Sequence, residues 1–226
     1  IYKKLKSNFY CFFTFFFVFA GLCFSQVKVG DWNSLTSFLQ IRDVEFIENI
    51  LYTATEGGIL SIKENDYSVI TNTNGLIGVD LLSIAKDNND NLWIGGNSPF
   101  GFLQLYDPLN KESISSFDFQ LTAIQDIQVN GNITWVLFQE GQDNGLMKFI
   151  FDDRWEYRDS YRNYPEEINK INCFVALDSM IFLGTNAGIY SSILRNNLKN
   201  PSSWTESIQG INDPISSIAA NTDGLV

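Results

Sequence analysis

Asp90-Asn91-Leu92-Trp93-Ile94-Gly95-Gly96, followed by Gly101-Phe102-Leu103-Gln104-Leu105, is the stretch whose reading decides the fold. Taken alone it reads as a strand, a glycine-rich turn and a second strand. The pattern recurs along the chain. Asn49-Ile50-Leu51-Tyr52-Thr53-Ala54-Thr55 leads to Gly58-Ile59-Leu60-Ser61-Ile62. Asn132-Ile133-Thr134-Trp135-Val136-Leu137 leads to Gly145-Leu146-Met147-Lys148-Phe149, and Ser179-Met180-Ile181-Phe182-Leu183-Gly184-Thr185 leads to Gly188-Ile189-Tyr190. A fifth copy opens at Asp223-Gly224-Leu225-Val226. The turn glycines Gly58, Gly101, Gly145 and Gly188 are spaced by 43, 44 and 43 residues. The large residues of the preceding strand, Tyr52, Trp93, Trp135 and Phe182, are spaced by 41, 42 and 47. Strand-like units at such a period are those of propeller blades. Helical repeats of similar length would place apolar residues three and four apart and carry few internal glycines. Here the apolar runs are short, β-branched or aromatic, and bounded by Gly, Asn, Asp and Ser.

The expected fold is therefore all-β: a β-propeller of four-stranded blades, truncated, with about four and a half blades present. The second blade is the clearest. Leu81–Ala85 is its inner strand, Asp87–Asn91 a turn, Leu92–Gly95 the second strand, Phe102–Tyr106 the third and Ser113–Phe119 the outer edge. The second strand is apolar on both faces, as a strand packed between blades must be. The outer strand alternates polar and apolar, which suits a solvated edge. Blade one is expected from Ile41 to about Leu76, blade two to Phe119, blade three to about Tyr164 and blade four to Ser207, with Ile215–Ala219 as the inner strand of blade five. One to three further blades are expected downstream, because propellers hold about four to eight.

Residues 1–25 are expected to lie outside this fold. Lys3, Lys4 and Lys6 precede an apolar run from Phe9 to Phe24, and small residues follow up to Ser25. Positive start, apolar middle and small-residue exit mark a secretory signal peptide. The run is shorter than the roughly 20 residues a spanning helix needs, although an uncleaved N-terminal anchor is the alternative. Loss of the three lysines takes the net charge from −11 to −14. That balance argues against nucleic acid and anionic membrane surfaces as partners, since both require basic patches; membrane contact is expected only through the signal or through partners. Cys11 and Cys23 leave with the signal, so Cys173 stays as a single small core residue. Residues 26–40 carry Gly30-Asp31-Trp32-Asn33, similar to Asp153-Arg154-Trp155-Glu156 and Ser203-Trp204-Thr205-Glu206 of the outer strands. A strand there is expected to pair with the last blade and close the ring.

The sequence offers no catalytic set. It contains no histidine, which removes Ser-His-Asp and Cys-His nucleophiles and histidine-held zinc. No phosphate-binding glycine loop follows a strand and opens a helix. Asp87-Asn88-Asn89-Asp90-Asn91 fails as a calcium loop, because Leu92 and Ser98 stand where glycine and glutamate are needed. It reads as a hairpin turn, since Asn and Asp tolerate left-handed backbone and bond their own chain. The pairs Asp152-Asp153 and Glu166-Glu167 point to opposite faces of a strand, so neither is a natural catalytic couple. No metal and no cofactor are expected. Trp93 and Trp135 sit between apolar neighbours and read as blade-to-blade core instead of sugar platforms. The candidate binding residues are those of the loops between second and third strands: Glu56, Asn97, Glu140, Asp143, Asn144 and Asn186.

Asp87–Gly96 and Phe182–Tyr190 resemble the two-component-regulator propeller repeat, an Asp-rich turn followed by Leu-Trp-Ile-Gly-Thr, a short turn and Gly-Leu. Blade one departs with Tyr52 and Ala54, blade two inserts Ser98-Pro99-Phe100, and blade three lacks the Gly-Thr pair. The opening, Ser25-Gln26, Val29-Gly30-Asp31-Trp32, Ile41-Arg42-Asp43-Val44 and Tyr52 to Ile59, resembles the N-terminus of PorZ-like proteins of Bacteroidetes-type bacteria. That resemblance implies an exported protein of the periplasm, outer membrane or cell surface. It also implies two propellers with a C-terminal module, and a role in type IX secretion, in delivering anionic lipopolysaccharide to secreted cargo. The expected function is a non-catalytic binding or scaffolding module, with secretion-machinery proteins or a surface glycan or lipopolysaccharide as partner. A periplasmic ligand-sensing propeller of a hybrid two-component regulator is the first alternative, and a propeller enzyme acting on polysaccharide the second.

Overall fold

The computed structural model describes residues 35–225 except Asp178, Gln209, Thr222 and Asp223. The expected signal at 1–25 and Trp32 therefore lie outside the described residues. β1 (Ile41–Ile47), β2 (Ile50–Thr55), β3 (Gly58–Lys63) and β4 (Asp66–Ile70) form one antiparallel sheet in chain order. The second sheet holds β5 (Asp80–Lys86), β6 (Leu92–Ser98), β7 (Gly101–Asp107) and β8 (Glu112–Leu121). The third holds β9 (Ala123–Asn130), β10 (Ile133–Glu140), β11 (Asp143–Phe151) and β12 (Trp155–Tyr161). The fourth holds β13 (Ile171–Ala176), β14 (Met180–Thr185), β15 (Gly188–Ile193) and β16 (Thr205–Glu206). A two-stranded pair, β17 (Ala220–Asn221) and β18 (Gly224–Leu225), follows.

Two segments differ from their expected form. Ile215–Ala219 has no ladder of its own. Its backbone turns to blade four instead: Ile215 N–H donates to the Thr185 carbonyl at 2.9 Å, and Asn172 Nδ2 donates to the Ile215 carbonyl at 2.9 Å. Residues 35–40 of the expected closing strand are irregular, and Thr36 Oγ1 donates to the Gly57 carbonyl at 2.6 Å.

First strands lie side by side and are the inner strands. Ser83 Oγ and the Ile84 N–H both donate to Asp43 Oδ2 at 2.9 Å, and Ile127 N–H donates to Ser83 Oγ at 3.0 Å. Gln128 then spans blades three and four, with Nε2 on the Phe174 carbonyl at 2.6 Å and Oε1 accepting the Ala176 N–H at 3.1 Å. Each polar side chain satisfies a backbone group that its own ladder leaves open on the buried side.

Between the blades sit three apolar cores. Leu92 and Ile94 face blade one, packing with Tyr52, Ala54 and Ile59. Trp93, between them in sequence, faces blade three with Val136, Met147 and Phe149. That alternation is the period of two of a strand buried on both faces. Trp135 likewise faces blade four, beside Phe174 and Leu183. Both tryptophans are core, as read from the sequence. The motif glycine after Trp-Ile has a packing reason: a Cβ at Gly95 would lie 2.2 Å from Ile124 Cγ2 of the next inner strand. On the opposite face of blade one, Val44 and Phe46 are exposed, with no preceding blade among the described residues.

The Asp87–Asn91 turn is held by its own carboxylate. Asp87 Oδ1 accepts the Asn89 and Asn91 N–H groups at 2.8 and 3.0 Å, and Asp90 is left-handed at φ 60°. Asp87 Oδ2 accepts Trp155 Nε1 of blade three at 2.9 Å, so the turn is also a blade-to-blade fastener. Asp87 is 3 % exposed. Asp87→Ala would strip the buried Trp155 indole N–H and the part-buried Asn89 and Asn91 N–H groups of their acceptor, an expected loss of about 3 kcal/mol. Asp90→Gly keeps the left-handed backbone and is expected to change stability by less than about 0.5 kcal/mol. Urea midpoints of the two variants check both.

Candidate functional site

All six candidate loop residues fall at the same end of the blades, at or beside the junctions of second and third strands. Their side chains do different things. Glu56 accepts Ser37 Oγ at 2.7 Å and the Gln40 N–H at 2.9 Å, and the Ser37 bond leads in holding its carboxyl below the usual range. Asn186 occupies the matching position in blade four, where Oδ1 accepts the Asn169 and Lys170 N–H groups at 2.8 Å each. Both residues therefore reach back to the segment entering their own inner strand, β1 or β13. Around each, the preceding threonine closes the turn: Thr55 Oγ1 donates to the Gly58 carbonyl at 2.7 Å and Thr185 Oγ1 to the Gly188 carbonyl at 2.9 Å. Asn144 joins blade three to blade four, with Nδ2 on the Ile171 carbonyl at 2.6 Å and Oδ1 accepting the Ile171 N–H at 3.2 Å. Glu140 is ion-paired with Arg162. Asn97 and Asp143 are exposed.

On the loop face Glu56, Asn144 and Asn186 are thus committed to backbone groups and Glu140 to an ion pair. The remaining exposed groups of that face include Asn97, Asp143 and Phe100, the last 47 % exposed. The Thr-x-x-Gly spacing marks the two turns at Thr55 and Thr185, but nothing in it shows that the next residue is held by backbone groups 16 residues upstream.

A second cluster lies along the inner strands; of its residues only Cys173 was singled out from the sequence, as core, and it is half-buried. Asp43, Ser83, Asp126 and Cys173 occupy corresponding positions in β1, β5, β9 and β13. Burial, then the charge of Asp43, pushes the Asp126 carboxyl up to about 6, against the pull of bonds from Ile127 N–H and the Gln128 side chain. Burial, then the charge of Asp126, raises the Cys173 thiol, so the thiolate nucleophile is disfavoured there. Among the described residues no three His, Cys, Asp or Glu side chains converge as a metal site.

Asp126 makes stability depend on pH. Its folded value lies above the usual 3.8, so its contribution is fully present below that pH and is lost as pH rises through about 6. The ionised form costs on the order of 2–3 kcal/mol. Asp126→Asn is therefore expected to be more stable than the parent above pH 6 and to lose that advantage below pH 4. Denaturant titrations of the two proteins at matched pH give the difference directly.

No protein-family model and no curated protein matches the sequence. Solved structures do match. The extracellular domain of the putative hybrid two component system BT3049 from B. thetaiotaomicron aligns over 88% of this chain and 28% of its own, at 17% identity and a TM-score of 0.63. PorZ, a surface component of the type-IX secretion system of Porphyromonas gingivalis, aligns over 86% and 29%, at 16% identity and 0.55. The Cps50 (Swd1) β-propeller domain of Myceliophteria thermophila aligns over 75% and 60%, at 14% identity and 0.57. The fold is a β-propeller. The chain spans less than a third of the length of the first two proteins. At these identities the likeness establishes the propeller fold alone. Among the described residues no helix of the propeller is long and apolar enough to cross a membrane.

Proposed function

We propose that the chain is an exported, non-catalytic propeller that presents a rigid binding or scaffolding surface and serves type IX secretion. Its partners are secretion-machinery proteins or a surface glycan or lipopolysaccharide, met in the periplasm, at the outer membrane or on the cell surface. The observation that carries this reading is the loop face. Glu56, Asn144 and Asn186 are fastened to backbone, which pre-organises their part of that face. The fold shared with PorZ supports the secretion role, and the basic, apolar, small-residue N-terminus supports export. Deletion of the gene, with complementation, tests the proposal. Type IX cargo is expected to lose its surface modification and attachment on deletion and to regain both on complementation. Cargo that stays modified and attached overturns the reading.

A second reading is favoured by the alignment with the BT3049 domain, which has the higher TM-score of the two bacterial surface proteins. Here the propeller is the extracellular sensor of a two-component regulator and binds a glycan fragment. It is the reading to adopt if the deletion leaves cargo unchanged but abolishes a transcriptional response to a polysaccharide.

A further inference from the structure

At the opposite end of the blades from the candidate loops, blades three and four leave a cleft of about 550 Å³ between them. It is lined by Ile133, Lys148, Ser179, Met180, Ile193, Leu194 and Arg195. Ile133 and Met180 open β10 and β14, whereas the loop-face residues Glu140 and Thr185 end those same strands. The two surfaces are therefore separated by the length of a strand. We propose that this cleft is a binding site for a small anionic amphiphile, a carboxylate with an apolar tail.

Four observations carry the proposal. The cavity has the size and largely apolar lining of small-molecule sites, with a few polar groups to orient a ligand. Its apolar part is built on the core: Ile133 and Leu194 pack against the cluster that contains Trp135, Phe174 and Leu198. Its rim is preformed, because Leu194 N–H donates to the Ser179 carbonyl and Leu177 N–H to the Met180 carbonyl, both at 2.8 Å. Charge is added to size, wall and rim. In a chain of net charge −11, the described lining residues include two cations and no acid. Lys148 is held with its ammonium 5.3 Å from the Trp135 ring centroid, which fixes a positive group beside the apolar wall. Its cross-strand neighbour Asp159 is engaged by Lys199 at 2.6 Å instead. An apolar cleft with a pinned cation complements a tail ending in a negative head, and it disfavours a cationic head.

The test uses the full chain and three probes: decanoate, decyltrimethylammonium and acetate. Titration calorimetry at low salt is expected to show saturable binding of one decanoate per chain. The cationic probe and acetate are each expected to bind at least about tenfold more weakly, since each lacks one half of the recognition. Lys148→Gln/Arg195→Gln is expected to weaken decanoate about tenfold while the unfolding midpoint stays within a few degrees. Ser179→Trp, at an exposed position of the lining, is expected to block the site. The proposal is overturned if decanoate does not saturate, if the cationic probe binds as tightly, or if binding survives both variants unchanged.

Discussion

Trp93→Ala is expected to lower the thermal midpoint by about 10 °C or more. The side chain is fully buried and stands at the centre of an aromatic cluster that joins blade two to blade three. Its ring stacks on Phe117 at 5.4 Å and meets Phe149 at 5.2 Å and Trp155 at 5.3 Å. Emptying such a site costs about 3–5 kcal/mol, because the lost transfer energy is joined by a cavity that neighbours fill only in part. For a chain of this size each kcal/mol is worth about 2–4 °C. Two of the three contacts belong to blade three, so the damage falls on the interface as much as on the blade. Trp93→Phe separates volume from polarity. The indole N–H has no hydrogen-bond partner among the described residues, so phenylalanine loses only size. Its expected cost is about 1–2 kcal/mol. Calorimetry and near-ultraviolet dichroism of both variants check the ranking. A phenylalanine as harmful as alanine would show that the indole nitrogen has a partner that matters.

Gly188→Ala is expected to cost about 3 kcal/mol or more, despite adding one methyl group. Two constraints meet at this residue. Its φ is +101°, a conformation that costs a side-chain-bearing residue about 1–3 kcal/mol. A Cβ there would also lie 2.0 Å from the Ile211 carbonyl oxygen, so the backbone at Ile211 must move. That movement pulls on the short outer pairing of blade four, where Ser207 N–H donates to the Ile189 carbonyl at 2.8 Å. Gly141→Ala is the control. Its φ is +63° but no atom lies within 4 Å of the added carbon, so only the conformational cost of about 1–2 kcal/mol applies. Urea midpoints of the two variants should differ clearly. Equal losses would mean that the crossing carbonyl moves aside at no cost.

The same crossing explains why four glycines recur at nearly equal spacing. A Cβ at Gly58 would lie 2.4 Å from the Ile70 carbonyl oxygen, at Gly101 2.8 Å from that of Leu121, and at Gly145 2.4 Å from that of Tyr161. In each blade the chain leaving the sheet passes over the start of the third strand. The repeat was legible in sequence because this steric demand admits a single residue type. The tryptophans were legible for a similar reason, since an aromatic residue between apolar neighbours suits a strand buried on both faces. The turn at Asp87 was legible because Asp and Asn bond their own backbone within a few residues.

Other features had no such local mark. Glu56 and Asn186 looked like free loop groups, yet each accepts backbone N–H groups 16 residues upstream. Asp126 looked like an ordinary strand carboxylate, and its proximity to Asp43 exists only once β1 and β9 are brought to the same axis. The cleft of Ile133, Lys148 and Arg195 draws on blades three and four, and no spacing within either blade announces it. Sequence alone determined the blade period, the strand order within each blade, and the core faces, because these follow from backbone sterics and side-chain alternation over a few residues. Tertiary structure alone decided which polar side chains are fasteners, which carboxylate is pushed toward neutrality, and where a cleft opens. Those properties depend on desolvation and on partners tens of residues away, and neither exists until neighbouring blades pack.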